Sequence, residues 1–475
     1  MERVPSGIYG LDEVIEGGFP KGSLIIVAGN PGTGKTVFSA QFIYRGALDY
    51  NEKGIYVTFV EGRNDLINYL RRFDMDFEDL EKKGMIKILD MLTVKEESIS
   101  DVINMIIGEV LSFNAKRLVI DSFSVLAQAF KEKIEARIIL HSILGKIVKS
   151  TNCTTILIIE IPYGQESMGL GIEEFIADGI FLLKRGKNRV IRELEILKLR
   201  GTRIHQTKYY FTLEGGFHIL PTFKIIKSNN TNKWSPIPDS ETHFSTGNED
   251  LDKVLDGGFE RGSYVILEAD LNVPIEAIRL FELPLILNFL SQKRGVAILP
   301  EGGSSASEIV KMLEPFIGLD IIKKYLRIYE DIKPSVEQFA PYIALMRGGA
   351  ANLERDAAAW AQVQINLREF TKQPILIVVG YDTYESKYAE VPERLFSELG
   401  TQVAECKAQG NLTFAIAKPG LRITQRVLNM VDKHLRLIEK NGYVFFYGVK
   451  PRTGLYHVSC HPVKGWPCLK LTPIV

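Results

Sequence analysis

Residues 29–36 read Gly29-Asn30-Pro31-Gly32-Thr33-Gly34-Lys35-Thr36, the pattern GxxxxGK[ST]. Glycines at these spacings let a loop wrap a phosphate and point successive backbone N–H groups inward. A helix starting at such a loop turns its positive end and its unbonded N–H groups toward the anion. A lysine in the seventh place reaches the β- and γ-phosphates, and the hydroxyl that follows ligates Mg²⁺. The chemistry implied is binding of ATP with magnesium by Gly29 to Thr36. The metal needs a carboxylate at the end of a later apolar strand. Leu118-Val119-Ile120-Asp121-Ser122 offers Asp121, through water, although Asp also favours the start of a helix. Hydrolysis needs a further carboxylate to orient water. The second β-rich run ends Thr58-Phe59-Val60-Glu61, which makes Glu61 the candidate.

The elements that would hold these residues are legible as short apolar runs alternating with helical periods. Ser23–Ala28, Gly54–Phe59, Arg117–Ile120 and Thr155–Ile159 are strand-like; Val37–Leu48 and Asp101–Leu111 are helix-like. This alternation predicts an α/β fold with a mainly parallel sheet covered on both faces. A further strand, Leu194–Thr202, carries Lys198 and Arg200 two apart, hence on one face. Two such cations can clamp phosphate oxygens or simply line a solvated edge.

The opening phrase occurs twice. Gly7, Leu11, Asp12, Val14, Gly17, Gly18, Phe19, Gly22 and Ser23 recur 240 positions later as Gly247, Leu251, Asp252, Val254, Gly257, Gly258, Phe259, Gly262 and Ser263. We therefore expect two tandem domains, 1–224 and 241–475, joined by a polar, proline-bearing linker at 225–240. In the second copy Ala269–Glu276 stands where the phosphate loop should be, without its glycines, lysine and threonine, so no ATP is expected there. Glu301 and Asp382 read as relics of Glu61 and Asp121, and Lys450 and Arg452 of the cationic pair. His457, Cys460, His461 and Cys468 include zinc-type ligands, but their spacing fits no standard finger. Pro462, Gly465 and Pro467 suggest a turn instead.

Length and composition agree with this division. A chain of 475 residues exceeds one ordinary core. Fifty-eight basic and 58 acidic side chains cancel, which disfavours indiscriminate nucleic-acid binding. Lys184–Lys208 is locally basic and leaves nucleic-acid contact as a minor alternative. Four cysteines imply no disulfide framework. No apolar run is long enough to span a bilayer and no leader is apparent, so no membrane contact and a cytoplasmic location are expected.

The motifs together resemble KaiC-type RecA-superfamily ATPases. The resemblance rests on Gly7–Ser23, the loop at 29–36, Val119–Ser122, GIEEFIADGIFLL at 171–183 and LEILKLRGT at 194–202, and spans nearly all of residues 4–224. It implies RecA-like domains, a homo-oligomer (often a hexamer) with ATP between subunits, and Lys198 and Arg200 acting as fingers on a neighbour's γ-phosphate. It also implies a regulatory ATPase that switches assembly or a protein partner. The family pattern has paired glutamates where this chain has Val60-Glu61, which points to slow hydrolysis. A weakly hydrolysing nucleotide-binding scaffold resembling the gas-vesicle regulator GvpD, and a RadA-like DNA-binding recombination ATPase, are the alternatives.

Overall fold

In the computed structural model of the chain, the described residues are 2–92, 99–128, 151–164, 176–186, 191–226, 233–331, 340–463 and 466–475. They fall into two compact units, Met1–Pro221 with Pro473–Val475, and Thr222–Thr472.

The first unit is built on nine strands: β1 (Leu24–Gly29), β2 (Gly54–Thr58), β3 (Ile86–Asp90), β4 (Arg117–Asp121), β5 (Thr154–Glu160), β6 (Gly179–Arg185), β7 (Arg192–Leu199), β8 (Lys208–Thr212) and β9 (His218–Ile219). Their order across the sheet is β9-β8-β7-β6-β1-β5-β4-β2-β3. The six from β6 to β3 are parallel, and β7, β8 and β9 continue antiparallel. Strand β1 is buried along its whole length, as a strand covered on both faces must be. Its side chains divide by parity. Ile25 and Val27 join the core under helix α1 (Lys35–Tyr50), with Val37, Phe38 and Phe42. Leu24, Ile26 and Ala28 join the core on the other face, with Ile103 and Ile106.

The second unit repeats the plan. Ten strands run β10 (Tyr264–Ala269), β11 (Val296–Leu299), β12 (Leu326–Asp331), β13 (Ile343–Met346), β14 (Leu376–Gly380), β15 (Leu412–Ala417), β16 (Lys433–Lys440), β17 (Tyr443–Lys450), β18 (Tyr456–Val463) and β19 (Trp466–Pro473). The order is β13-β12-β11-β14-β15-β10-β16-β17-β18-β19. Helix α2 (Ile275–Ser291) takes the place of α1, and β13 extends the edge. The two units are tandem RecA-like domains, the second without the phosphate loop.

The repeated phrase does the same structural work in each. Asp12 Oδ1 accepts from the Ser6 N–H at 2.8 Å, and Asp252 Oδ1 from the Thr246 N–H at 2.7 Å. Gly18 and Gly258 have φ of 129° and 107°. A Cβ on either would lie 2.2 Å from a backbone oxygen, of Val4 and of Phe244 respectively. The repeat is thus a scaffold signature, independent of nucleotide.

Two expectations are corrected. Residues 233–240 of the anticipated linker are held to the second unit. Asn288 Oδ1 accepts from the Ile237 N–H at 2.8 Å, and Asp239 pairs with Arg294, both nearly buried; 227–232 lie outside the described residues. Of the residues expected to turn, Gly465 lies outside the described residues, and Pro462 and Pro467 stand in strands. Pro462 lies near the end of β18, and Pro467 lies on the edge strand β19, where proline is tolerated. His457 is buried beside Tyr443 and Phe445, and among the described residues no three His, Cys, Asp or Glu converge on a metal position.

Candidate functional site

The site lies at the carboxyl ends of β1, β2, β4 and β5, where open α/β sheets bind ligands. The phosphate-loop pattern follows β1 directly. Gly32 and Gly34 have φ of 74° and 102°, which only glycine adopts freely. Helix α1 begins at Lys35 without a side-chain cap, so its first N–H groups remain to be satisfied by a ligand or water. Asn30 latches the loop to the neighbouring strand through the Ile161 carbonyl at 2.9 Å. Thr33 closes it by donating to the Asn30 carbonyl at 2.8 Å. Pro31 offers its carbonyl to the Tyr163 hydroxyl at 3.1 Å.

Lys35 is buried, and its ammonium donates to the Asn30 carbonyl at 3.0 Å. Burial draws its pKa below the ordinary lysine value, while Glu160 and Asp121 pull it back up. Thr36 donates to Asp121 Oδ2 at 3.0 Å. The parity of β4 places Asp121 on the α1 face with Val119, and that of β5 does the same for Glu160 with Ile156 and Ile158. Burial raises the Asp121 carboxyl; hydrogen bonds from Tyr56 and Thr36 and the Lys35 charge oppose that rise.

Magnesium prefers hard oxygen ligands and keeps waters and phosphate oxygens in its shell, so it asks for few side chains. The Thr36 hydroxyl and Asp121 carboxylate, adjoining across α1 and β4, fit that need. The loop with its two left-handed glycines, open helix end and lysine fits a polyphosphate.

Glu61 lies past the end of β2, where Thr58 Oγ1 accepts from the Glu61 N–H at 3.2 Å and donates to the Glu61 carbonyl at 2.8 Å. The strand stops at Thr58, so strict alternation does not govern where Glu61 points. Its carboxyl is raised by burial and by the charges of Asp121 and Asp65. Val60 is 45% exposed and supplies no polar group.

Lys198 and Arg200 are not part of this chain's own cluster. Arg200 pairs with Asp178 at 3.3 Å. The other oxygen of Asp178 accepts from the N–H of Leu24, the first residue of β1. The phosphate loop leaves the far end of that strand, roughly 16–20 Å away for six residues. A bulge opposite Ile180 and Phe181 exposes Leu197 and leaves Lys198 and Arg200 on one outward face.

Three contributors carried no local signal. Tyr56 donates to Asp121 Oδ2 at 2.6 Å. Glu160 sits level with Gly29 in the β1–β5 register. Arg192, on β7, donates to the Gly32 carbonyl at 3.1 Å and to the Val475 carbonyl. Within the basic stretch at 184–208, Lys184 pairs with Glu195, Lys208 with Glu193 and Glu195, and Arg200 with Asp178.

In the second unit the equivalent chemistry is dismantled. Pro274 caps α2 and the Asp270 carboxylate is taken by Arg436 at 2.7 Å. Asp382 is not the counterpart of Asp121. Leu118 is level with Leu24 across β5, and Ile377 is level with Tyr264 across β15, so three residues on Asp121 answers to Gly380, the last residue of β14. Asp382 belongs to the helix beyond, Tyr381–Lys387. Lys450 ends β17 and donates to the Val431 carbonyl.

Comparison with known proteins agrees with this division. The KaiC ATPase family model matches residues 4–222, and the model for GvpD basic region 2 matches 233–475, just over half of the chain. The circadian clock oscillator protein KaiC of Thermostichus vulcanus is 31% identical over 278 residues, covering 56% of this chain and 52% of the relative. That of Synechococcus elongatus is 32% identical over 279 residues, covering 56% and 52%. The chain thus spans about half the length of the curated relatives it matches. A solved KaiC-like protein from Pyrococcus horikoshii is 42% identical, covering 46% of this chain and 99% of its own, with a TM-score of 0.42. The chain belongs to the KaiC-like RecA-superfamily ATPases, and its rear half to the family of GvpD basic region 2.

Proposed function

We propose that the first domain binds Mg²⁺-ATP and hydrolyses it slowly, and that its nucleotide state switches self-assembly or the binding of a protein partner. The observation that carries this reading is the Thr36–Asp121 pair at 3.0 Å beneath a glycine loop ending in buried Lys35. Gly29 to Gly34 would cradle phosphates with backbone N–H groups, with Asn30, Pro31 and Thr33 holding the loop closed. Lys35 would exchange the Asn30 carbonyl for phosphate oxygens. Thr36 and Asp121 would hold magnesium, which when bound neutralises phosphate charge and polarises the terminal phosphoryl group. Glu61 would orient the attacking water. Lys198 and Arg200, far from their own loop, would act on the loop of a neighbour, which requires a homo-oligomer such as a hexamer. A switch of this kind draws its energy from contacts that only the γ-phosphate makes.

A second reading, a scaffold that binds ATP with little turnover, draws on Val60, since one carboxylate of the usual pair is absent there. The balance of 58 basic and 58 acidic side chains argues against a DNA-binding recombinase. Calorimetry with Mg²⁺-ATP tests the central claim. Wild-type chain should bind and Lys35→Ala should lose at least tenfold in affinity; equal affinity in both would refute the assignment. Light scattering should then report a larger particle with Mg²⁺-ATP than without. A monomer in both conditions would remove the role of Lys198 and Arg200 in trans.

A further inference from the structure

We propose that Tyr56 is a positioning residue for magnesium, acting through the Asp121 carboxylate. The proposal rests on the Mg²⁺-ATP reading above. Tyr56 lies in the middle of β2 and is fully buried, its ring edge-on to Phe77 at 6.3 Å between centroids. Register explains its reach. Tyr56 pairs with Val119 and Thr58 with Asp121 in the neighbouring parallel strand. Tyr56 and Asp121 share the α1 face, and the length of a tyrosine ring spans the two-residue offset between them.

A buried phenol must find an acceptor. Here the acceptor is the residue expected to organise the metal. Its hydroxyl donates to Asp121 Oδ2 at 2.6 Å, and Thr36 donates to the same oxygen at 3.0 Å. Two hydroxyls, one from the sheet and one from α1, therefore fix the rotation of a single carboxylate, and Oδ1 carries neither bond. Asp121 is itself buried, so few waters compete for its orientation. When the Thr36 oxygen turns to the cation, Tyr56 is the contact that still holds Oδ2. Tyr56 then keeps Oδ1 facing the magnesium shell, while touching neither nucleotide nor metal.

The test is binding, on the full chain. ATP affinity is measured by calorimetry at a series of fixed Mg²⁺ concentrations and in EDTA, for wild type, Tyr56→Phe, Asp121→Asn and the double variant. A hydrogen bond to a charged acceptor sets the scale. Y56F should raise the Mg²⁺ concentration for half-maximal tightening roughly tenfold and leave affinity in EDTA unchanged. In the Asp121→Asn background it should add nothing. The proposal is overturned by an unchanged Mg²⁺ requirement in Y56F, by equal losses with and without Mg²⁺, or by the same loss in the D121N background. It is also overturned if Y56F fails to fold, because the hydroxyl would then be a determinant of the fold. A wild-type chain that binds no Mg²⁺-ATP sinks both readings; a wild type that binds, beside an indifferent Y56F, sinks this one alone.

Discussion

Glu282→Gln should stabilise the second domain at alkaline pH and leave it nearly unchanged in acid. Glu282, on α2, is buried against the charge of Glu301, with Arg279 as the nearby cation, and its carboxyl is pushed up to about 8. Glu301, just past β11, is pushed up to about 7 by burial and by Asp382, against Arg279 and Lys418. Its Oε2 has no hydrogen-bond partner among the described residues. Both folded-state values lie above the unfolded one, so the native state holds protons that the unfolded chain releases. The favourable contribution is full below about pH 4.5 and is lost as pH rises to about 8. Raising one carboxyl from 4.5 to about 8 corresponds to on the order of 5 kcal/mol at high pH. Part of it is the repulsion shared with Glu301, so the two residues do not add. The Gln variant should therefore gain several kcal/mol at pH 9, and differ by no more than about 1 kcal/mol near pH 5. All three tryptophans, Trp234, Trp360 and Trp466, fall in the second unit, so fluorescence-detected urea unfolding of the full chain reports that unit. A difference between variant and wild type that is constant from pH 5 to pH 9 would refute the reasoning.

Gly258→Ala places a Cβ 2.2 Å from the Phe244 carbonyl oxygen at φ 107°, and should cost at least about 2–3 kcal/mol in the same urea assay; a wild-type midpoint would show that the repeated glycine is not a steric requirement. Mixing Lys35→Ala chains with Lys198→Ala/Arg200→Ala chains should restore part of the phosphate release that each lacks alone, because a Lys35 site can then be served by a neighbour's cations. Mixtures no more active than the separate variants would count against action in trans.

The phosphate loop was legible because its chemistry is local: the glycines, the lysine and the threonine lie within eight consecutive residues. What could not be read depends on register between strands distant in sequence. Nothing near Tyr56 or Arg192 announces Asp121 or Gly32, and only the β2–β4 pairing and the path of β7 bring them there. Glu61 shows a different limit. β2 ends at Thr58, whose hydroxyl bridges both backbone groups of Glu61, so alternation along a strand does not say where Glu61 points. Asp382 was misread by seeking an acid after an apolar run. The register puts Gly380 at that place, so the second domain lacks the carboxylate there as well as the loop.

The repeat therefore separates two kinds of residue. Asp12 and Asp252, Gly18 and Gly258 hold the same backbone bends in both units, since each sheet must be entered the same way whatever it binds. Lys35, Thr36 and Asp121 suit a polyphosphate and its cation, and their counterparts by position, Ile275, Glu276 and Gly380, are respectively apolar, acidic and without a side chain. Retained scaffold with discarded chemistry assigns nucleotide to the front domain. It leaves the buried Glu282 and Glu301, each with its carboxyl raised, in a domain without a phosphate loop.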